Sequence, residues 1–375
     1  MTITRVDAIP VLYPEPNDAG SLRSLLFCRI ETSDGIVGWG EAITQFPEAS
    51  RSAAVLLDGL SDMLIGRDPL DHHALLVDLE QRSWWYGYGG GIAGFVVSAI
   101  DVALWDLKGK ILNTSVSALL GGALRHELPV ISSSHAFNAS LEFEVERHGA
   151  YVRDEGYRGL KIGMGKRGET RLGYEFDRDV TFVTKLREAI GPDAMLIMDR
   201  GQSLPWTVAD AIRRTQAFDE CQLTWMEEPL EPRDVEGFRR LREQVTCLIG
   251  TGEREFTVDG YSHLIQSGIS DVVGFDPGRA GGITAGLKVI RLVEDANVWF
   301  NAHAWSSAIT TAASIALSAS TTRCMVFEQK PIKNPMQDEL VEEPFAQRDG
   351  VITVPSAPGL GVTVIESVLE KYRLT

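Results

Sequence analysis

The sequence predicts an α/β protein, a parallel-stranded barrel preceded by a smaller α+β domain. Three observations predict it. First, six short stretches share one design: a few apolar residues, one ionisable residue, then a loop. They read GLK at Lys161, LIMD at Asp199, TWME at Glu227, LIGTGE at Glu253, VVGFD at Asp276 and WFNAH at His303, and a seventh, MVFE, ends at Glu328. Each reads as a buried parallel strand that delivers one polar side chain at its C-terminal end. Second, from Asp199 onward the steps are 28, 26, 23, 27 and 25 residues (199 to 227 to 253 to 276 to 303 to 328). One strand, one helix and two loops need about that length. Third, residues 1 to about 125 do not keep this rhythm.

In the N-terminal part, ITRVDAIPV and LLFCRIETSDGIVGWGEA read as strands, with a hairpin signal at Asp34-Gly35. A small antiparallel meander follows. Helical patterns come next: ASRSAAVLLDGLSDMLIG, HHALLVDLEQRSWW and IAGFVVSAIDVALWDLKGKILN. The last is apolar nearly all round, which places it between layers. Gly87 to Gly91 (GYGGG) reads as a flexible loop.

From about residue 127 the alternation begins. ELPVISSS is the first barrel strand, a helix follows at about 141–154, and YRGLKIG is the second strand. The polar stretch 164–175 is a longer loop, which accounts for the wide gap between Lys161 and Asp199. Eight strands result, and if they close into a ring their C-terminal ends converge on one mouth. After Glu328 the rhythm stops. DGVITVPSAPGLGVTVI reads as strand and turn, and ESVLEKYRLT as a last helix. This tail is expected back on the N-terminal domain. The division is a cap at 1–125, completed by 345–375, and a barrel at 126–344.

At 375 residues the chain is long enough for two domains. Its 44% hydrophobic and 23% charged residues suit a soluble globular protein. No apolar run spans a bilayer, and the start lacks a basic segment followed by an apolar one. The expectation is therefore a cytoplasmic protein without a membrane partner. Cys28, Cys221, Cys247 and Cys324 lack metal-type spacing and read as buried free thiols, three of them in strand-like runs. A net charge of −16 argues against nucleic acid. An anionic carboxylate substrate then needs local positive charge from a bound cation or from specific Lys and Arg residues. Exposed apolar faces on the cap helices point to a homo-oligomer.

Asp199, Glu227 and Glu253 are hard oxygen donors on three consecutive strand ends. Carboxylates held at 4 Å repel by about 4 kcal/mol per pair at an effective dielectric of 20. Either some take up protons or a cation sits among them. A hard divalent ion fits, Mg²⁺ with Mn²⁺ as substitute. Asp276 and His303 stand on the next two strand ends. A carboxylate beside an imidazole fixes its tautomer and makes a general base. Lys161 is suited to neutralise a substrate carboxylate or to act as a base. Glu328 closes the ring as a hydrogen-bond or proton donor, or as an ion-pair partner of Arg279 or Lys330. The other histidines (His72, His73, His126, His135, His148, His263) read as surface or local structural residues.

The segments GYRGLKIGMG (156–165), MDRGQSL (198–204), WMEEP (225–229), GE (252–253), DPGRAGGIT (276–284), NAH (301–303) and FE (327–328) resemble the enolase superfamily in its mandelate racemase and muconate lactonizing branch. The resemblance covers nearly the whole chain. It implies an α/β fold of a modified (β/α)7β barrel with an α+β capping domain. It implies Mg²⁺ on Asp199, Glu227 and Glu253, and abstraction of the proton α to a substrate carboxylate to give an enediolate held by the metal. Two departures stand out. Gly163 occupies the place of the second lysine of a K-x-K pair, the usual base on that face, and Gly201 follows the metal aspartate where many members have Asn. With only the His303–Asp276 pair kept, one-base chemistry is expected: Mg-dependent dehydration of an aldonate or aldarate to a 2-keto-3-deoxy acid. The rival readings are a racemase, epimerase or cycloisomerase with Lys161 as second base, and a barrel that binds a metabolite without turnover. Substrate identity is expected in the cap, on loops near 14–24 and 44–50 (Asn17, Arg23, Gln45) and at Trp84, Trp85 and Tyr86.

Overall fold

The computed structural model describes residues 1–87 and 89–374. Tyr88, inside the GYGGG stretch, and the terminal Thr375 lie outside the described residues. The first three strands, β1 (Ile3–Glu15), β2 (Ser21–Thr32) and β3 (Val37–Gln45), form an antiparallel meander in that order. Gly35 turns β2 into β3 with a φ of +78°, a conformation that glycine adopts at no steric cost. Helices α1 (Pro47–Ser61), α2 (His72–Ser83) and α3 (Gly91–Ile111) cover one face of the meander. As its composition predicts, α3 is buried on nearly every side. It lies so close to β3 that a Cβ at Gly40 would fall 1.8 Å from the Ala99 carbonyl oxygen. A short helix, α4 (Val116–Leu119), leads out of the cap.

The barrel follows with the expected alternation. Its strands are β4 (Glu127–His135), β5 (Gly159–Met164), β6 (Met195–Arg200), β7 (Trp225–Glu227), β8 (Leu248–Thr251), β9 (Val272–Phe275), β10 (Trp299–Ala302) and β11 (Phe327–Gln329). Between them lie α5 (Leu141–Arg153), α6 (Phe176–Ile190), α7 (Val208–Asp219), α8 (Val235–Arg242), α9 (Val258–Gln266), α10 (Gly282–Ala296) and α11 (Ala308–Ala319). Eight strands and seven intervening helices make the (β/α)7β arrangement. The sheet runs β10-β9-β8-β7-β6-β5-β4-β11. It closes where Phe300 N donates to Arg323 O at 2.9 Å, beside a parallel bridge between Phe300 and Cys324.

Local chemistry sets the helix ends. On α7, Thr207 and Asp210 form a reciprocal capping box, which satisfies two otherwise orphaned amides. Gly191 after α6 and Asn297 after α10 end their helices at positive φ.

Strand register decides which side chains share the interior. Gly163 pairs with Asp199, and Asp199 with Glu227. Two residues earlier on the last two strands stand Ile197 and Trp225. With Ile131, Val272 and Val326 they make a small apolar plug. Side chains alternate with period two, so polar groups two positions further along point the same way, one layer higher. The mouth is therefore a polar layer resting on a dry floor.

The cap is fastened to the barrel by buried polar groups. Glu15 and Lys330 are both fully buried and pair at 2.6 Å. Asn17 donates to Glu15 Oε1 at 2.8 Å and to Ile332 O at 2.6 Å. Expected as a substrate contact, Asn17 is instead part of this joint. Glu41 on β3 accepts from the Thr310 hydroxyl at 2.8 Å and from the Ser306 and Ser307 hydroxyls, at the start of α11. The tail, expected on the cap, divides between the domains. β12 (Val351–Thr353) pairs antiparallel with the start of β4. Beyond it, α12 (Glu366–Lys371) leads to Leu374, whose amide donates to Pro10 O on β1 at 2.8 Å. The cysteines are free, but only Cys28 lies in a strand, and Cys221 and Cys247 are only half-buried.

Candidate active site

The seven sequence-predicted residues meet at the C-terminal end of the barrel. Asp199 is the penultimate residue of β6 and Glu227 the last of β7. Glu253, Asp276 and His303 lie one or two residues beyond β8, β9 and β10. Lys161 departs from the expected pattern: it is the third of six residues in β5, and the strand runs on to Met164. Mid-strand, it points into the ring. Its ammonium contacts Glu227 Oε1 and lies 3.1 Å from Glu328 Oε1 and 3.7 Å from Asp199 Oδ2. Glu328 thus pairs with Lys161, and also accepts from Asn301 Nδ2 at 2.5 Å. The alternative partners, Arg279 and Lys330, are taken by Asp276 and Glu15.

One ammonium serves three carboxylates, and the consequences differ by partner. Burial would lower the pKa of Lys161, but Glu227, Glu328 and Asp199 together hold it well above its usual value. Each carboxylate receives only a share of that charge. Burial therefore dominates at Glu227, whose pKa stands well above the carboxylate range, and at Asp199, which is also raised. At Glu253 burial is outweighed by His303, Arg279 and Lys161, which pull it down to about 2.

His303 Nδ1 lies 2.6 Å from Asp276 Oδ2. Asp276 is almost fully buried and also accepts from Gly278 N at 2.9 Å and from Arg279 through two guanidinium nitrogens. Burial would raise its pKa, but Arg279 and the bond to His303 keep it below the usual value. Ionised, Asp276 keeps the imidazole proton on Nδ1. The other nitrogen, Nε2, then faces the carboxylates, 3.6 Å from Glu253 Oε2. Arg279 was legible only as a competing partner for Glu328. Its true role follows from the three-residue spacing to Asp276 on the turn after β9.

The donor set suits a hard divalent cation in kind and charge. Its groups are oxygen donors, buried carboxylates outnumber buried ammonium groups, and Glu328 Oε2 and Asn301 Oδ1 are buried without a hydrogen-bond partner. A narrow void lies between Glu227, Glu253, Gly274 and Asn301. Among the described residues, no three His, Cys, Asp or Glu side chains are arranged to hold a metal. Lys161 draws Asp199 and Glu227 to itself, and Glu253 leans toward His303. A larger cleft of about 480 Å³ lies outside this cluster, lined by Gly89, Arg233, Arg254 and Phe256. None of the seven sequence-predicted residues lines that cleft.

The sequence reading took His135 for a surface or local structural residue, and it is buried. That reading ended the first strand at Ser134, whereas β4 includes His135 and points it inward beside Gly163. The signal was present in ISSSH, another strand ending in an ionisable residue. Arg23 lies over the Trp305 ring, 4.8 Å from its centroid, and donates to Trp305 O at 2.5 Å. Trp84, Trp85 and Tyr86 form an exposed 3₁₀ turn.

A carboxylate ring and a carboxylate–imidazole pair in a capped barrel mouth make up a site suited to acid–base chemistry. The family comparison names the lineage: this chain belongs to the enolase superfamily, in the mandelate racemase and muconate lactonizing enzyme branch. Residues 144–368 match the enolase C-terminal domain-like family, and residues 18–121 match the mandelate racemase / muconate lactonizing enzyme N-terminal domain. The D-galactarolactone cycloisomerase of Agrobacterium fabrum is 28% identical, over 100% of this chain and 99% of its own. The D-gluconate dehydratase of Thermoproteus tenax is 30% identical, over 99% of this chain and 74% of its own. Among solved structures, the L-talarate dehydratase from Polaromonas sp. JS666, complexed with Mg and L-glucarate, superposes with a TM-score of 0.86 at 27% identity, covering 100% of this chain and 98% of that one. The chain is an enzyme, and its relatives are lyases and isomerases. Among the described residues, no helix is long and apolar enough to cross a membrane.

Proposed function

We propose that this enzyme dehydrates a sugar acid, an aldonate or aldarate, to a 2-keto-3-deoxy acid by removing the proton α to the carboxylate. The observation that carries this reading is the orientation of His303. Its Nδ1 is held by Asp276, and its Nε2 faces the carboxylate cluster. Dehydratases among the relatives and the sugar-acid complex of a structural neighbour support the substrate class.

Asp199, Glu227 and Glu253 would hold Mg²⁺, with Mn²⁺ as substitute, and a bound dication would offset the negative charge that develops on the substrate carboxylate. The neighbour solved with Mg supports this choice. His303 Nε2 takes the α-proton, and the C–H electron pair passes into the carboxylate. Asp276 and Arg279 keep the imidazole oriented while it gains charge. The β-hydroxyl then leaves with the proton returned by His303, as water, and the remaining enol becomes the ketone. Lys161 balances the buried carboxylates and meets the substrate carboxylate. Glu328 Oε2, buried and without a partner, hydrogen-bonds the substrate on the far side.

A cycloisomerase is the second reading, favoured by the full-length similarity to the galactarolactone enzyme. A sugar-acid library incubated with Mg²⁺ and scored for 2-keto acid formation tests the proposal. At least one aldonate or aldarate is expected to react. A library that gives no keto acid, while a lactone is isomerised, transfers the assignment to the second reading.

A further inference from the structure

Gly163 brings no side chain to the polar layer of the mouth, and its neighbours pack into the space that one would take. It is in register with Asp199 on one side and His135 on the other. A Cβ built there would come 2.4 Å from His135 Nδ1 and 2.8 Å from Lys166 Cε. Two side chains from elsewhere thus converge on the volume that residue 163 does not fill. The His135 ring is only 7% exposed and is stacked on Trp305, with centroids 4.6 Å apart. Its Nδ1 is buried with no hydrogen-bond partner among the described residues. An unpaired buried nitrogen costs about 1–3 kcal/mol, a cost that a substrate group bonded to it would offset. Lys166, Arg23 and Lys161 are the charged groups that face it, and all three are cationic.

We propose that His135 Nδ1 and the Lys166 side chain, which meet beside Gly163, form the position that binds a hydroxyl of a polyhydroxy acid. A hydroxyl can donate to an imidazole nitrogen and accept from an ammonium at the same time. β5 stands three steps round the closed ring from β10. This position therefore faces His303 across the mouth. A substrate held at both points presents its α-proton to Nε2 while its chain of hydroxyls is read on the opposite wall. A site that hydrogen-bonds a hydroxyl rejects analogues lacking it, because its own polar groups are then left unpaired.

This inference rests on the sugar-acid reading, and its test separates the two. D-gluconate, D-galactonate and L-glucarate are titrated by calorimetry, with Mg²⁺, into the full chain carrying His303→Asn, so that binding is read without turnover. The same titration is repeated with His135→Phe added, which keeps a ring on Trp305 but removes the nitrogen. An acid bound by the first protein should bind the second about ten- to a hundredfold more weakly, the worth of one or two such hydrogen bonds. Gly163→Ala, whose methyl displaces the imidazole and so lowers the melting temperature, and Lys166→Met, which should leave the melting temperature nearly unchanged, should each weaken the same acid. These two variants carry the test if His135→Phe does not fold. Equal affinity in the variants that fold overturns the hydroxyl position and leaves the dehydratase reading standing. Failure of all three acids to bind the His303→Asn chain also overturns it, and keto acid formation by the unmodified enzyme then decides the other reading separately.

Discussion

His303 Nδ1 and Asp276 Oδ2 are 2.6 Å apart although 27 residues separate them. They stand just past the ends of neighbouring parallel strands, β9 and β10, whose register pairs Phe275 with Ala302. The contact is thus a property of the sheet, and it leaves Nε2 turned toward Glu253 and the other carboxylates.

Asp276→Asn tests that statement directly. An amide can donate to Nδ1, which moves the imidazole proton to Nε2 and removes the base. A loss in kcat of about 10³–10⁴ is expected, the scale on which a wrong tautomer disables a histidine base. The melting temperature should fall as well: Gly278 N keeps its acceptor on Oδ1, but the amide that turns to Nδ1 takes the place of Oδ2, which Arg279 also uses. Near-normal turnover would show that the tautomer is set elsewhere.

For His303→Ala the expected loss is about 10²–10⁴ in kcat/KM. Mg²⁺ should still raise the melting temperature as it does in the unmodified enzyme, because the proposed ligands are untouched. Calorimetric melting with and without Mg²⁺ measures this. Loss of the Mg²⁺ effect would mean that the imidazole belongs to the cation site.

Lys161→Met removes the one ammonium among Glu227, Glu328 and Asp199. Leaving buried charge unpaired costs roughly 3–5 kcal/mol. Urea unfolding in the presence of a chelator should show a loss of that order. Added Mg²⁺ should raise the unfolding midpoint of this variant more than that of the unmodified chain. A variant as stable as the parent would mean that Glu227 carries a proton, as its raised pKa allows.

His148 predicts the pH dependence of stability. It is fully buried; Nδ1 donates to Glu144 O at 2.7 Å, and Nε2 faces the Arg147 guanidinium at 3.3 Å. Burial first, and the Arg147 charge second, lower its pKa from 6.5 to about 4. Between those values the unfolded chain binds the extra proton and the folded chain does not. Stability from this group is complete above about pH 6.5 and is lost as pH falls toward 4, by about 3 kcal/mol in all. Urea midpoints at pH 7.5 and 4.5 should therefore fall further for the unmodified chain than for His148→Gln, in which every other titrating group is retained. Parallel falls would place the His148 pKa near its ordinary value.

Local pattern carried most of the architecture. In LIMD, TWME, VVGFD and WFNAH, apolar runs buried on both faces end in one polar residue, and a strand–helix unit has a nearly fixed length. Strand number, helix positions and the set of polar mouth residues follow from these two facts alone. What the pattern left open were relations between strands. Lys161 looked terminal because its neighbours are apolar, but β5 continues through Gly163, which has no side chain to mark the parity. His135 looked incidental because its importance comes from standing next to that missing side chain. Asn17 looked like a loop residue facing substrate, and instead it joins the cap to the barrel beside Glu15 and Lys330.

The residue types and spacing settled the barrel, its capping domain and the carboxylate–imidazole chemistry, because periodicity and burial act over a few residues. Only the closed sheet decided that Lys161 pairs with Glu227 and Glu328, that Arg279 holds Asp276, and that His135 and Lys166 converge on Gly163. Those contacts depend on the register and twist of strands far apart in the chain, which are set by packing the whole interior at once.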